Sequence, residues 1–188
     1  MLQSSTSPRN KYFGYFFLFS SITITDINEF KAMTLVEKEF TERVKFYEEV
    51  WWPARTVVEN AIDKRFETWK GGRIISFDNG TCPWKEHLYD LEREQGIEGE
   101  ILFCLFEDDA NKTWRVAAVG VEGQIFVSRL KLNEEWCALR DQELSEKSGI
   151  DNCVFVHASG FIGGNKTKEG ALQMAMKTIE NNKSSTLQ

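Results

Sequence analysis

Apolar residues recur at steps of three and four from Phe30 through Met33, Val36, Phe40, Val44 and Tyr47 to Trp51, the spacing that lays one stripe along a helix. Asp26 precedes that stripe with Glu29 three residues on, a capping-box-like pair. Pro53 predicts a new helix or a kink, because it has no N–H to donate and clashes with the preceding turn. A second helical stretch is expected from Ala54 to about Phe66, and Gly71-Gly72 ends it. The pattern then changes to short apolar runs between turn residues. Arg73 to Phe77 reads as a strand, Asp78-Asn79-Gly80 as a turn, and Pro83 to Glu94 as a helix with Pro at its first position.

A β-rich block follows. Glu100 to Glu107 is almost continuously apolar, as in a buried strand. Asp108 to Lys112 forms a hairpin loop, Thr113 to Val119 the partner strand, and Gln124 to Ser128 another short strand. Asn133 caps a helix carrying Trp136, Leu139 and Leu144, and Gly149 ends it in a left-handed conformation. Val154-Phe155-Val156 is a third buried strand. After a glycine-rich turn comes a helix from about Thr167 to Asn181, with Leu172, Ala175, Met176 and Ile179 facing inward. Helices first, then strands mixed with helices, predict an α+β fold: a helical arm over 29–70 and an α+β domain over 71–182. Residues 1–28 and 183–188 read as tails without regular structure.

Composition narrows the function classes. The 188 residues carry 23 Lys and Arg against 29 Asp and Glu, a net charge of −6. The chain as a whole is therefore no basic nucleic-acid clamp, and any anion site must be local. Its four cysteines, Cys82, Cys104, Cys137 and Cys153, have no CxxC spacing and read as small core residues in a reducing compartment. With two histidines, His87 and His157, a metal site built mainly from His is not expected. The apolar run Tyr12–Ile24 follows Arg9 and Lys11. It is too short to span a bilayer, and Ser20-Ser21-Ile22 makes a poor signal cleavage site. Neither secretion nor a membrane partner is expected.

One segment carries chemistry: Phe155-Val156-His157-Ala158-Ser159-Gly160-Phe161-Ile162-Gly163-Gly164-Asn165-Lys166-Thr167-Lys168. A strand runs into a glycine-rich turn and the turn into a helix. Glycine lets a backbone approach a ligand closely, and the free N–H groups of a helix start favour an anion. Lys166 and Lys168 add charge, and Asn165 and Thr167 add hydrogen-bonding side chains. The candidate phosphate or nucleic-acid-binding residues are therefore His157, Gly163, Gly164, Asn165, Lys166, Thr167 and Lys168. The spacing matches neither G-x-x-x-x-G-K-[ST] nor G-x-G-x-x-G. The same pattern also suits a tight turn whose glycines serve strand–helix packing. Trp84-Lys85-Glu86-His87, Glu107-Asp108-Asp109 and Ser128-Arg129 are weaker candidates. They are read as a structural histidine, a solvated hairpin tip and a strand end.

The runs Cys82-Pro83-Trp84-Lys85-Glu86-His87-Leu88, Leu139-Arg140-Asp141-Gln142-Glu143-Leu144, Ser148-Gly149-Ile150 and Phe155 to Gly164, with Thr167 and Glu169-Gly170-Ala171-Leu172, resemble the MYG exonuclease family (melanocyte proliferating gene product). The helix from Phe30 to Phe66 with Trp52-Pro53-Ala54-Arg55 fits as well. The resemblance runs from about Glu29 to Ile179 and concerns the C-terminal half of the family's chain. It implies a fold like the substrate-binding C-terminal domain of DHH-type phosphoesterases, in which a Gly-Gly turn holds a nucleic-acid phosphate near metals supplied by the other half.

The family's implied activity is 3′–5′ RNA exonucleolysis in nucleus and mitochondrion, with divalent Mn or Mg as cofactor. The metal-binding strings of that other half, His-Asp-Gly-, Asp-Val-Gly-Gly- and Asp-His-His-type, do not occur here. The expectation is a chain that binds RNA, holds no metal, has no catalytic residues of its own and pairs with the metal-binding half. Tyr12–Ile24 has no counterpart in the family, so the chain reads as a truncated isoform or an incomplete gene model. The alternative is a non-catalytic protein-interaction module that docks through the helical arm.

Overall fold

The computed structural model describes residues 24–185. The tail expected over 1–28 lies outside these residues except for its last five, which belong to the first helix. Helix α1 spans Ile24–Phe46 and leads into a π-helical turn, Tyr47–Trp51. Helix α2, Trp52–Asp63, carries Pro53 in its first turn. Pro53 cannot donate to the carbonyl four residues before it, so the helical ladder cannot run on unbroken and the chain widens just ahead of it. Two compact units meet within this stretch, up to Tyr47 and from Glu48 onward, so the expected arm divides. In the first unit α1 exposes Phe30, Met33, Val36 and Phe40 along its length.

The second unit is the α+β domain. After α2 come a short helix α3 (Arg65–Thr68), strand β1 (Ile74–Phe77), helix α4 (Lys85–Gln95), β2 (Phe103–Glu107) and β3 (Trp114–Ala118). A 3₁₀ turn (Glu134–Trp136), helix α5 (Asp141–Ser148), β4 (Cys153–Val156), β5 (Ile162–Asn165) and α6 (Lys168–Ser185) complete it. The sheet order is β1-β2-β3-β5-β4. β1 and β2 are parallel, joined across α4, and the other pairs are antiparallel. A register shift between Cys153 and Phe155 marks a bulge in β4.

Strand alternation divides the apolar side chains between two clusters. Ile74, Phe103, Leu105, Val116 and Val156 face α6, where Ala171, Met174, Ala175 and Ile179 cover them. Ile75, Phe77 and Cys104 face the other way, onto Val58 and Ile62 of α2 and Leu88 and Leu91 of α4. Each fully buried Leu, Ile, Val or Phe contributes about 1.5–3 kcal/mol, so α2 belongs to the core of this unit and not to an exposed arm.

Several expected elements shift. The helix read from Pro83 starts at Lys85. Asn133 caps only the 3₁₀ turn, accepting from the Glu135 N–H at 3.2 Å. The chain then extends before α5, which Gly149 ends with φ +61 as expected. The strand read over Gln124–Ser128 is absent: only an isolated Gly120–Ser128 bridge forms, and Phe126 adopts φ +65. The largest difference is β5. Gly163 and Gly164 lie inside a strand, not in a turn, and neither has positive φ. The turn is His157–Phe161, and its left-handed residue is Gly160, at φ +70.

Candidate functional site

Each glycine of the pair faces one side of the sheet. A Cβ on Gly163 would lie 2.9 Å from Leu132 Cδ1, 3.0 Å from Met174 Cε and 3.1 Å from the Phe155 carbonyl oxygen. The missing side chain at 163 lets α6 and Leu132 close on the strand. A Cβ on Gly164 would lie 2.8 Å from Arg115 Nη1 and 3.0 Å from Phe155 Cε1. The gap at 164 is filled by these two side chains, and the Arg115 guanidinium sits 5.3 Å from the centre of the Phe155 ring. Both glycines are thus explained by packing, one on each face.

The junction from β5 to α6 satisfies its own polar groups. Asn165 is fully buried. Its Oδ1 accepts from the Thr167 N–H at 2.9 Å and the Thr167 hydroxyl at 3.1 Å. Its Nδ2 donates to the Asp151 carbonyl at 2.8 Å. Thr167 Oγ1 caps the helix by accepting from the Gly170 N–H at 3.0 Å. Lys168 pairs with Asp78 and lies 5.3 Å over the Trp114 ring. The Lys168 hydrogen bond holds the Asp78 carboxyl below its ordinary pKa. Lys166 is exposed and borders a recess that it shares with Asp141, Glu146 and Asp151. His157 is exposed at the hairpin. Its Nδ1 lies 2.8 Å from Ser159 Oγ and accepts from the Ser159 N–H at 3.2 Å. Of the seven candidates, His157, Lys166 and Thr167 are exposed, with the Thr167 hydroxyl engaged by Asn165 and Gly170, Lys168 is engaged by Asp78, and Gly163, Gly164 and Asn165 are buried in the fold.

The face that carries Gly164 is only partly covered. Over β1 and β2 it packs on α2 and α4. Over β3, β5 and β4 the same face carries Arg115, Ala117, Ile162 and Phe155, all half-buried. Arg140 is bridged to Phe155 at the sheet's edge, with its guanidinium 5.8 Å from that ring. Phe155 therefore lies between two guanidinium groups. Arg115 is neutralised by Asp108. The Asp108 carboxyl is held below its ordinary pKa by the Ala110 N–H and by Arg115. Arg140 is exposed and has no carboxylate among its described contacts.

Arg140, Phe155 and the exposed Phe161 are the residues that sequence pattern alone did not single out. Alternation along β4, opposite the inward Val156, was the signal for Phe155.

The weaker candidates resolve as structural. His87 is fully buried, and its Nε2 donates to the Trp51 carbonyl at 2.8 Å. Glu107 and Asp109 sit near Lys112 on a hairpin tip. Arg129 turns inward to a bidentate pair with the buried Glu92, at 2.7 and 2.6 Å. Cys104 and Cys153 are buried, Cys82 and Cys137 half-buried, and all four are free thiols. Burial pushes Cys82 up to about 11 and also raises Cys104 and Cys137, which keeps these three protonated at neutral pH. Among the described residues no three His, Cys, Asp or Glu side chains come together to hold a metal ion. No helix among them is long and apolar enough to cross a membrane.

These features define an α+β domain on a five-stranded mixed sheet, with one part of the sheet open and lined by arginine and aromatic side chains. Residues 23–179 match the MYG1 exonuclease family profile, described as uncharacterised protein family UPF0160, and the chain belongs to that family. It is 52% identical over 149 residues to the MYG1 exonuclease of Bos taurus, covering 79% of this chain and 39% of that one. It is 52% identical over 149 residues to the MYG1 protein of Dictyostelium discoideum, covering 79% and 45%. With the MYG1 protein of Caenorhabditis elegans it is 50% identical over 152 residues, covering 80% and 45%. The chain thus spans less than half the length of these relatives. No solved structure matches it.

Proposed function

We propose that this chain is the nucleic-acid-binding part of a 3′–5′ RNA exonuclease. Membership of a family whose mammalian relatives are named exonucleases supports the reaction class. The observation that carries the binding role is the open sheet face beside the β5–α6 junction. It offers Arg140, which has no carboxylate partner among the described residues, and the exposed His157 to phosphates and the half-buried Phe155 to bases. Lys166 extends that surface past the end of β5, and the peptide of Gly164 lies beneath it. Guanidinium, imidazole and ammonium groups on an open face suit a single-stranded backbone.

Phosphodiester hydrolysis needs an activated water and neutralisation of the charge that builds up on phosphorus, which divalent metals supply. The described residues contain no donor set that fits such an ion. In this reading, Mn or Mg is held by the part of the family's chain that this sequence does not match, as in DHH-type phosphoesterases. This chain then binds and orients the strand without cleaving it. Nucleus and mitochondrion are the proposed compartments.

The test is a salt titration of single-stranded oligoribonucleotide binding by the purified chain, with a trimming assay in Mg²⁺ and Mn²⁺. Affinity should fall steeply with salt, and Lys166→Ala should lower the log–log slope by about one unit. Trimming abolished by EDTA would overturn the non-catalytic reading. Absence of binding at low salt would overturn the nucleic-acid reading.

A second reading, docking on a protein, is favoured by the exposed apolar stripe Phe30, Met33, Val36 and Phe40 of α1, since contiguous exposed apolar surface marks interaction sites. Capture of a full-length relative without any RNA affinity would favour it.

A further inference from the structure

A cleft of about 870 Å³ opens between the segment 128–134, the hairpin residues Ala158 and Ser159, and the last turns of α6 at Thr178, Asn181 and Asn182. Its size falls in the range of small-ligand sites, but its lining is unusual for one. Asn133 and Ser159 bring a carboxamide and a hydroxyl, Lys131 and Glu134 bring one charge of each sign, and the charge of Arg129, which also lines the cleft, is balanced by Glu92. A carboxamide NH₂ can donate to the acceptor atoms of a nucleobase edge. Asn133 spends its Oδ1 on the Glu135 N–H, and its amide NH₂ remains as a donor. A carboxylate such as Glu134 can accept from ribose hydroxyls. Lys131 is exposed, and no carboxylate lies within ion-pair distance of it among the described residues. The near-neutral balance of the lining favours a nucleoside with one phosphate over a polyphosphate.

The rim adds a stacking surface. Ser159, which lines the cleft, fixes the His157 ring through Nδ1 at 2.8 Å. That ring meets Phe161 edge to face, with centroids 4.7 Å apart. Phe161 is 46% exposed, while its carbonyl accepts from the Ala118 N–H at 2.8 Å. The aromatic pair is therefore held in place yet open to solvent, as a base-stacking platform requires.

We infer that this cleft receives one nucleoside unit of a single-stranded RNA, with the adjacent base stacked on Phe161 and a phosphate on Lys131. The inference rests on the nucleic-acid reading above and adds a base-contacting site to it. An unpaired strand is specified because only splayed bases can enter a pocket and stack on a side chain.

The experiment uses the whole chain and a fluorescein-labelled single-stranded oligoribonucleotide carrying one 4-thiouridine. On photocrosslinking of the wild type, the label should map to peptides spanning 128–134 or 157–161. In titrations Phe161→Ala should weaken binding about tenfold, in line with one lost base stack. Lys131→Ala should weaken it and lower the salt slope by about one. Lys112→Ala, on the β2–β3 hairpin, serves as a charge control and should bind like wild type, and a duplex of the same sequence should bind at least tenfold more weakly. Melting curves confirm that the variants fold, and the crosslink map needs no variant. Suppose the crosslinks fall elsewhere and both cleft variants bind like wild type while Lys166→Ala binds weakly. The cleft is then not a base site, and the nucleic-acid reading stands. Equal affinity for the duplex also overturns the inference. Failure of the wild type to bind any oligonucleotide overturns both.

Discussion

Gly163 and Gly164 are adjacent but are constrained by neighbours of different stiffness. Over Gly163 stand a backbone carbonyl and the packed ends of Leu132 and Met174. Over Gly164 stand the tip of the Arg115 side chain and the Phe155 ring. A carbonyl inside a sheet cannot move without breaking the ladder, whereas a guanidinium can swing. Gly163→Ala should therefore cost about 1–3 kcal/mol, the usual range for overpacking a core, and Gly164→Ala clearly less. Urea unfolding of both variants measures this, and equal losses would show that the Arg115–Phe155 contact is as rigid as the core. The glycine run is visible in sequence, but its use is not. A pair of glycines reads as a turn because glycine weakens strands, and only the side chains that cross it from other strands reveal why it sits in one. Asn165 is a similar case. Its type suggests a ligand contact, while its burial and its bonds to Thr167 and Asp151 make it a strut.

Among the connections between elements, the Arg129–Glu92 pair ties the loop after β3 to α4. Glu92 is almost fully buried and also accepts from the Ile101 N–H at 3.2 Å. Arg129 Nη1 donates to the Ile101 carbonyl at 2.9 Å. Arg129→Ala leaves a buried carboxylate without its cation and should destabilise the unit by about 3–5 kcal/mol. Arg93→Ala, which removes exposed pairs with Asp90 and Glu122, should cost far less, because water screens exposed pairs. Thermal or urea unfolding of the two variants separates these values, and similar losses would refute the burial argument. Elements with strong periodicity or long apolar runs were legible in sequence: α1, α2, β2, β3 and α6 all stand within a few residues of expectation. Gln124–Ser128 failed in the opposite sense to β5. Its Ile-Phe-Val run has strand-like composition, yet Ile125 is 79% and Phe126 98% exposed, because no neighbouring strand pairs along it. The open face of the sheet was illegible for a related reason. It is built from Arg115, Phe155 and Arg140, which come together only through the β3-β5-β4 order.

At the scale of the molecule, the chain from Glu48 onward holds both apolar clusters. Residues 48–188 alone should therefore fold and melt cooperatively, within about 3 °C of the full chain, about the shift that 1 kcal/mol gives a unit of this size. Calorimetry of the two chains decides it, and loss of the cooperative peak would place α1 in the core. The two clusters are not independent of each other. Neighbouring residues of one strand serve opposite clusters, Ile74 and Ile75 on β1 and Phe103 and Cys104 on β2, so neither layer can melt while the sheet between them survives. The consequence is genetic. A missense change beneath α4, at Leu88 or Phe77, touches none of Arg140, Phe155, His157 or Phe161, yet it removes the strands that hold them. In a screen for loss of binding such alleles would appear alongside those of the site itself, and only a measurement of folded protein would tell the two classes apart.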